Sequence, residues 1–343
     1  IMTDLHDRKK AILHAVVRLY SDTGVAVSST LVAKYLGKTV SSATVRASLK
    51  SLEDQGMLCK LHTSAGRIPT DSGFRAFVNQ IVASDALPQL VGNRGIDLEL
   101  SCAVQNQAVA KSLATLLCKL TDGVGIILGP TWDGVRAIRL DLHYREGNRI
   151  LMVLVLENAL IRTAILPRLD SYSPEVLDEA ARILSERING LTINEIRNGA
   201  LAAIDPGISS GSSCASELAS VSDELFTDFE YGDIELSGFS ELLEEPELAN
   251  PDSLKDLVRF LESPASIRDA VRRLSPGATE DGVSVWIGDE NPVQELKQFS
   301  IVSAPYELGG RRGALAVLGV KRMQYHKIIN GMRVLVRSLE RLN

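Results

Sequence analysis

Over residues 8–22, RKKAILHAVVRLYSD, apolar side chains recur every three to four positions: Ile12, Val16, Leu19 and Tyr20 share one helical face, and Gly24 stops the run. A second, shorter period follows in SSTLVAKYLG, opened by Ser28 or Ser29 as N-cap and ended by Gly37. The third, SSATVRASLKSLEDQG, has Ser41 or Ser42 as its cap, Val45, Leu49 and Leu52 as its buried stripe and Gly56 at its end. Three short helices with tight turns predict a helix-turn-helix. MLCKL at 57–61 then reads as a short strand, HTSAGRI as a polar loop, and PTDSGFRAFVNQIV as a helix starting at Thr70. Together these segments describe a winged helix.

Farther along, the pattern changes. Residues 83–99, with Pro88, Gly92 and Gly95, read as a linker, and a helix is expected at about 101–120. GVGIILG at 123–129 is an uninterrupted apolar strand. IRLDLHY at 138–144 alternates, with Ile138, Leu140, Leu142 and Tyr144 inward and Arg139, Asp141 and His143 outward. EGN turns this strand back into RILMVLVLE, and LIRTAIL at 160–166 makes a third. A helix over 173–189 carries Ser173 as N-cap, Pro174 in its first turn and Gly190 past its end. A Thr-x-x-Glu capping box opens another at 192. From about 200 the residues are small and polar, then acidic to about 275. Strands return at 283–288, 299–306 and 313–320, and an amphipathic helix with Tyr325, Ile328, Ile329, Met332, Leu335 and Val336 on one face closes the chain. The strands at 123–166 and 283–320 are expected to form one sheet, interrupted by an inserted segment.

The length of 343 residues suits two to three domains, and 45% hydrophobic with 23% charged residues is the composition of an ordinary folded protein. The longest apolar run, ILMVLVL at 150–156, is far short of the ~20 residues of a membrane helix. No secretory h-region stands at the start. Cys59, Cys102, Cys118 and Cys214 show no C-x-x-C pair, which fits reduced thiols in a cytoplasmic setting. Charge is more telling once divided. Residues 1–80 hold 11 Lys and Arg against 6 Asp and Glu, a net of +5, and the rest carries −11. Residues 205–265 alone hold 15 acids against Lys255 and Arg259. A basic end on an acidic body suggests a nucleic-acid module, while the acidic block reads as a solvated helical surface.

The chemistry follows from the third helix. With its stripe turned inward, Ser42, Thr44, Arg46, Ala47 and Lys50 lie on the free side or near the N-terminus, as a helix reading base edges in the major groove requires. Alone, the same pattern fits an ordinary surface helix equally well. The adjoining wing and the local charge tip the reading to double-stranded DNA. In HTSAGRIPT, Arg67 stands among small residues and is expected to reach phosphate or the minor groove. A solvated surface arginine or a structural ion-pair partner are the alternatives. His62 either contacts phosphate or closes the strand end. GISSG at 207–211 matches the nucleophile elbow around Ser209 but follows Asp205-Pro206 instead of a buried strand. His6, His14, His62, His143 and His326 show no metal-ligand spacing, and GVGIILG misplaces the glycines of a dinucleotide fingerprint. No enzyme, cofactor or metal is expected. A second reading is a regulator whose sheet domain senses a small molecule.

VSSATVRASLKSLEDQGML with HTSAGRIPTDSGFRAFV at one end, and IGDEN, SIVSAPY and GALAVLGVKRMQY at the other, resemble the heat-inducible transcription repressor HrcA family. The likeness is strongest in 39–78 and 287–325. It implies an α+β multidomain protein: an N-terminal winged helix-turn-helix over 1–85, a linker at 86–100, a GAF-like antiparallel sheet domain with helices over 101–199 and 280–343, and an inserted dimerisation domain over 200–279. It also implies a homodimer that represses chaperone operons at an inverted-repeat operator, CIRCE, with the chaperonin GroEL supporting its active form. DNA contact is carried over to Ser42, Thr44 and Arg46, and to Thr63, Ser64, Gly66 and Arg67. Ala47 and Lys50 rest on helix geometry. Two departures stand out: Ala26-Val27-Ser28-Ser29-Thr30 lacks the family's usual basic residue, and Gly-Pro-Thr-Arg-Met becomes Gly319-Val320-Lys321-Arg322-Met323.

Overall fold

A computed structural model describes residues 2–37, 40–60, 66–83, 109–121, 123–145, 149–157, 160–167, 172–200, 204–220, 234–274, 282–309 and 311–341. In chain order, its first elements are α1 (Met2–Thr23), α2 (Ser29–Tyr35), α3 (Ser42–Asp54), β1 (Leu58–Lys60), β2 (Arg67–Pro69) and α4 (Asp71–Val82). Next come α5 (Val109–Thr121), β3 (Val124–Leu128), β4 (Ala137–Arg145), β5 (Arg149–Leu156), β6 (Ile161–Pro167), α6 (Pro174–Ile188) and α7 (Ser210–Ser220). The chain finishes with β7 (Ile234–Ser237), α8 (Phe239–Leu243), α9 (Pro251–Leu261), α10 (Pro264–Leu274), β8 (Ser284–Ile287), β9 (Phe299–Leu308), β10 (Arg311–Val320) and α11 (Tyr325–Glu340). The predicted linker, the start of the predicted helix at 101–108 and residues 61–65 lie outside the described residues. Contacts divide the chain into residues 1–129 with 233–343, and residues 130–232.

In the first unit, local chemistry sets the helix ends. Ser28, Ser41 and Thr70 cap α2, α3 and α4 through their side-chain oxygens, which accept from the N–H groups of Leu31, Thr44 and Gly73. β1 and β2 pair antiparallel, Cys59 opposite Ile68. Ile12, Val16, Val32, Val45, Leu49, Leu52, Phe74 and Phe77 are buried together.

The larger sheet runs β7-β3-β10-β9-β8, antiparallel throughout. Period-2 alternation splits its side chains between two cores. Ile127, Leu315, Val317, Val302 and Ala304 join the core of α5 and α11. Val124, Ile126, Leu128, Ala316, Leu318 and Ile301 join that of α9 and α10. Cover on both faces explains why β3 and β10 read as unbroken apolar runs. Part of the segment expected as an insertion at 200–279 contributes here: β7 pairs with β3, and Leu257, Phe260, Ile267, Val271 and Leu274 seal the second face.

In the second unit β4, β5 and β6 form a separate antiparallel sheet, against one face of which α6 and α7 pack. Strands 123–166 therefore do not share one sheet with 283–320; only β3 does. Leu140 and Leu142 point inward as expected, but Ile138 is 48% exposed. The register slips between Ala137 and Arg139, so Ala137 takes the inward place.

Candidate nucleic-acid interface

Helix α3 buries Val45, Ser48, Leu49 and Leu52. Its opposite face exposes Ala43, Arg46, Ala47, Lys50 and Asp54, one stripe at helical spacing. Arg46, Ala47 and Lys50 thus stand where the sequence placed them. Ser42 and Thr44 are half-buried at the helix start. The Thr44 hydroxyl lies 2.8 Å from Ser41 Oγ, so it is partly engaged by the cap. Lys50 Nζ pairs with Asp54 at 2.8 Å one turn on, and that hydrogen bond raises its pKa. Lys9 Nζ, from α1, donates to Ser51 Oγ at 2.8 Å and holds α3 against its neighbour.

The hairpin differs from expectation at its key residue. His62, Thr63 and Ser64 lie outside the described residues. Gly66 and Arg67 do not sit on a free tip. The Arg67 N–H donates to Val27 O at 2.9 Å, and Val27 N–H donates to Arg67 O at 2.8 Å, so β2 is stitched to the α1–α2 turn. Gly66 is buried against that turn, where a Cβ would come within 2.7 Å of the Ala26 carbonyl. The Arg67 side chain is 13% exposed, with Nε and one terminal nitrogen donating to Glu53 Oε2 at 3.0 and 2.9 Å. Of the three readings weighed for Arg67, the geometry is that of the ion pair. Sequence reasoning passed over Glu53, because a lone acid near a helix end carries no motif and its partner lies 14 positions away.

Elsewhere, Ser209 acts as a helix cap: its Oγ accepts from Ser212 N–H at 3.1 Å and donates to Glu179 Oε1 at 2.9 Å. Clefts of about 200 and 220 Å3 flank Arg322, whose guanidinium is taken by Glu245 and Glu247. Both are below the ~300–1,000 Å3 usual for small-molecule sites. Among the described residues no helix is long and apolar enough to cross a membrane.

Comparison with known proteins places these features in one family. The family model "HrcA protein C terminal domain" matches residues 107–329. A heat-inducible transcription repressor HrcA of Clostridium perfringens is 30% identical over 340 residues, covering 98% of both chains. One of Lachnoclostridium phytofermentans is 28% identical over 337 residues, covering 98% of this chain and 97% of its own. A crystal structure described as that of a hypothetical protein shares the fold, with a TM-score of 0.62 at 22% identity over 98% of each chain. The chain belongs to the HrcA family.

Proposed function

We propose that the protein is a sequence-specific transcriptional repressor of heat-shock operons that binds an inverted-repeat operator as a homodimer. In this reading α1–α4 with β1 and β2 form a winged helix. α3 enters the major groove through Arg46, Ala47 and Lys50, with Ser42 and Thr44 near the backbone. His62, Thr63, Ser64 and Gly66 belong to the wing, and Arg67 at its root is taken up below. The observation that carries this is the exposed α3 stripe, small and basic at its centre and lying beside a two-stranded hairpin. Membership in the HrcA family, and relatives described as heat-inducible transcription repressors, support it.

The larger sheet serves as the GAF-like body, and the second unit as the dimerising one. Its outer sheet face supports that role: Ile161 and Ile165 are 61% and 62% exposed beside half-exposed Leu151, Val153 and Val155. Two-fold protein symmetry then matches operator symmetry. Heat releases the repressor, and GroEL supports its active form, in the cytoplasm. The test is binding to a duplex bearing the CIRCE inverted repeat against a scrambled duplex at two salt concentrations. Preference for the repeat, lost in Arg46→Ala, upholds the reading. Equal, strongly salt-dependent binding of both duplexes sinks it.

A further inference from the structure

Arg67 is the meeting point of three elements. Its backbone exchanges both hydrogen bonds with Val27 in the α1–α2 turn, and Lys60 of β1 lies opposite it in the hairpin register. Its side chain reaches Glu53 in the last turn of α3, seven residues beyond Arg46 and three beyond Lys50. Its Nε and one terminal nitrogen both bond to a single carboxylate oxygen, and the two side chains are only 13% and 20% exposed. A third nitrogen faces Gly66 O at 3.4 Å. A phosphate could claim this guanidinium only by displacing a partly desolvated carboxylate and breaking two charge-assisted bonds. On the exposed α3 face the exchange is smaller: Lys50 would give up only its solvent-exposed pair with Asp54, and Arg46 is exposed beside it.

We infer that Glu53 and Arg67 are a positioning pair, which sets the hairpin against the reading face of α3 while Arg67 itself touches no DNA. The pair fixes Lys60, opposite Arg67 in the hairpin register, and Gly66, its neighbour in the chain. This assignment rests on the operator-binding reading. It replaces the phosphate contact expected of Arg67, and it gives a role to an acid that electrostatics alone would count against DNA binding.

The sign of one substitution separates the possibilities. Glu53→Gln removes a negative charge near a polyanion, so a merely electrostatic role for Glu53, or competition between Glu53 and DNA for Arg67, makes binding tighter. A positioning role makes operator binding weaker, by ~10-fold for a lost pair of charge-assisted bonds, with no loss on a scrambled duplex. Fluorescence anisotropy at several salt concentrations reads both. Arg67→Ala is expected to weaken operator binding with the salt slope unchanged, whereas loss of a phosphate contact lowers that slope by about 0.9. The swapped pair, Glu53→Arg with Arg67→Glu, is expected to recover most of the affinity. Tighter binding by Glu53→Gln, a lowered slope in Arg67→Ala, or no recovery by a folded swap overturns the assignment. Amide hydrogen exchange of Val27 and Arg67, expected to quicken in Glu53→Gln, tests the pair without DNA, and unchanged exchange overturns it as well. Failure of the wild-type protein to prefer the inverted repeat counts against the repressor reading, and the exchange result still decides the pair.

Discussion

Lys321 Nζ lies 2.9 Å from Asp71 Oδ2 and 3.0 Å from Oδ1, although 250 residues separate the two in sequence. Asp71 is the first residue of α4, where a carboxylate complements the positive end of the helix, and it also accepts from Asp289 N–H at 3.2 Å. One turn on, Arg75 is paired with Glu290 and donates to Val285 O at 2.6 Å. The lysine occupies the position where the resembled pattern has threonine. Replacing Lys321 by Thr should therefore cost little, below ~1 kcal/mol for a partly exposed pair. Asp71→Ala should cost more, about 1–2 kcal/mol, because the helix start and the Asp289 N–H lose their partner too. Urea unfolding of both variants checks the order.

Gly66 is required by proximity. A methyl group there would press on the Ala26 carbonyl at 2.7 Å, backbone against backbone, so relief demands movement of β2 away from the α1–α2 turn. Gly66→Ala is expected to lose about 1–3 kcal/mol of stability and to break the Val27–Arg67 bridge. Thermal melting and amide exchange at Val27 report the two effects.

Asn291 has a buried side-chain amide whose Nδ2 faces the carbonyl oxygens of Gly288, Leu296 and Phe299, each at 3.0 Å. Asn291→Asp would turn a carboxylate onto these oxygens. The expected loss is on the order of 3 kcal/mol or more, larger than for Asn291→Ala, and it should shrink in acid as the carboxyl takes up a proton. A denaturant series at two pH values measures it.

His14 packs edge-on against Phe77, ring centroids 4.7 Å apart, and burial pushes its pKa below the ordinary value, with Arg18 adding to the effect and Gln80 opposing it. Burial, Arg18 and Lys327 likewise lower His326, against Asp22. In both cases the unfolded chain binds the proton more readily than the folded one. Their neutral forms thus favour the fold fully above pH ~6.5, and that contribution is lost as pH falls below this value. The melting temperature should drop between pH 7.5 and 5.5, and His14→Gln should flatten that dependence.

Much of this was written locally. Ser28, Ser41 and Thr70 announce α2, α3 and α4 because a cap needs only its own next turn, and Gly24 and Gly56, at φ +66 and +71, end α1 and α3 for equally local reasons. The apolar runs of β3 and β10 were legible because both sheet faces are covered. What escaped depended on partners far away. The bulge that turns Ile138 outward leaves no mark on an alternating strand. Helices α9 and α10 looked like part of an insertion because the stretch before them is rich in acids, and nothing local names the sheet that Leu257, Phe260, Ile267, Val271 and Leu274 cover. For Arg67 an ion pair was one of three readings, but its partner was not legible, since nothing near it in sequence names Glu53.

The buried residues of α1–α4 do not close upon themselves. Phe74 lies 5.8 Å from Tyr325 between ring centroids, and Ile12, Val45 and Phe77 belong to one continuous core with Leu113, Val317 and Leu335. The first eighty residues are thus no detachable cartridge. Grafted onto another protein, they would carry away half of a shared interior and leave the other half wet.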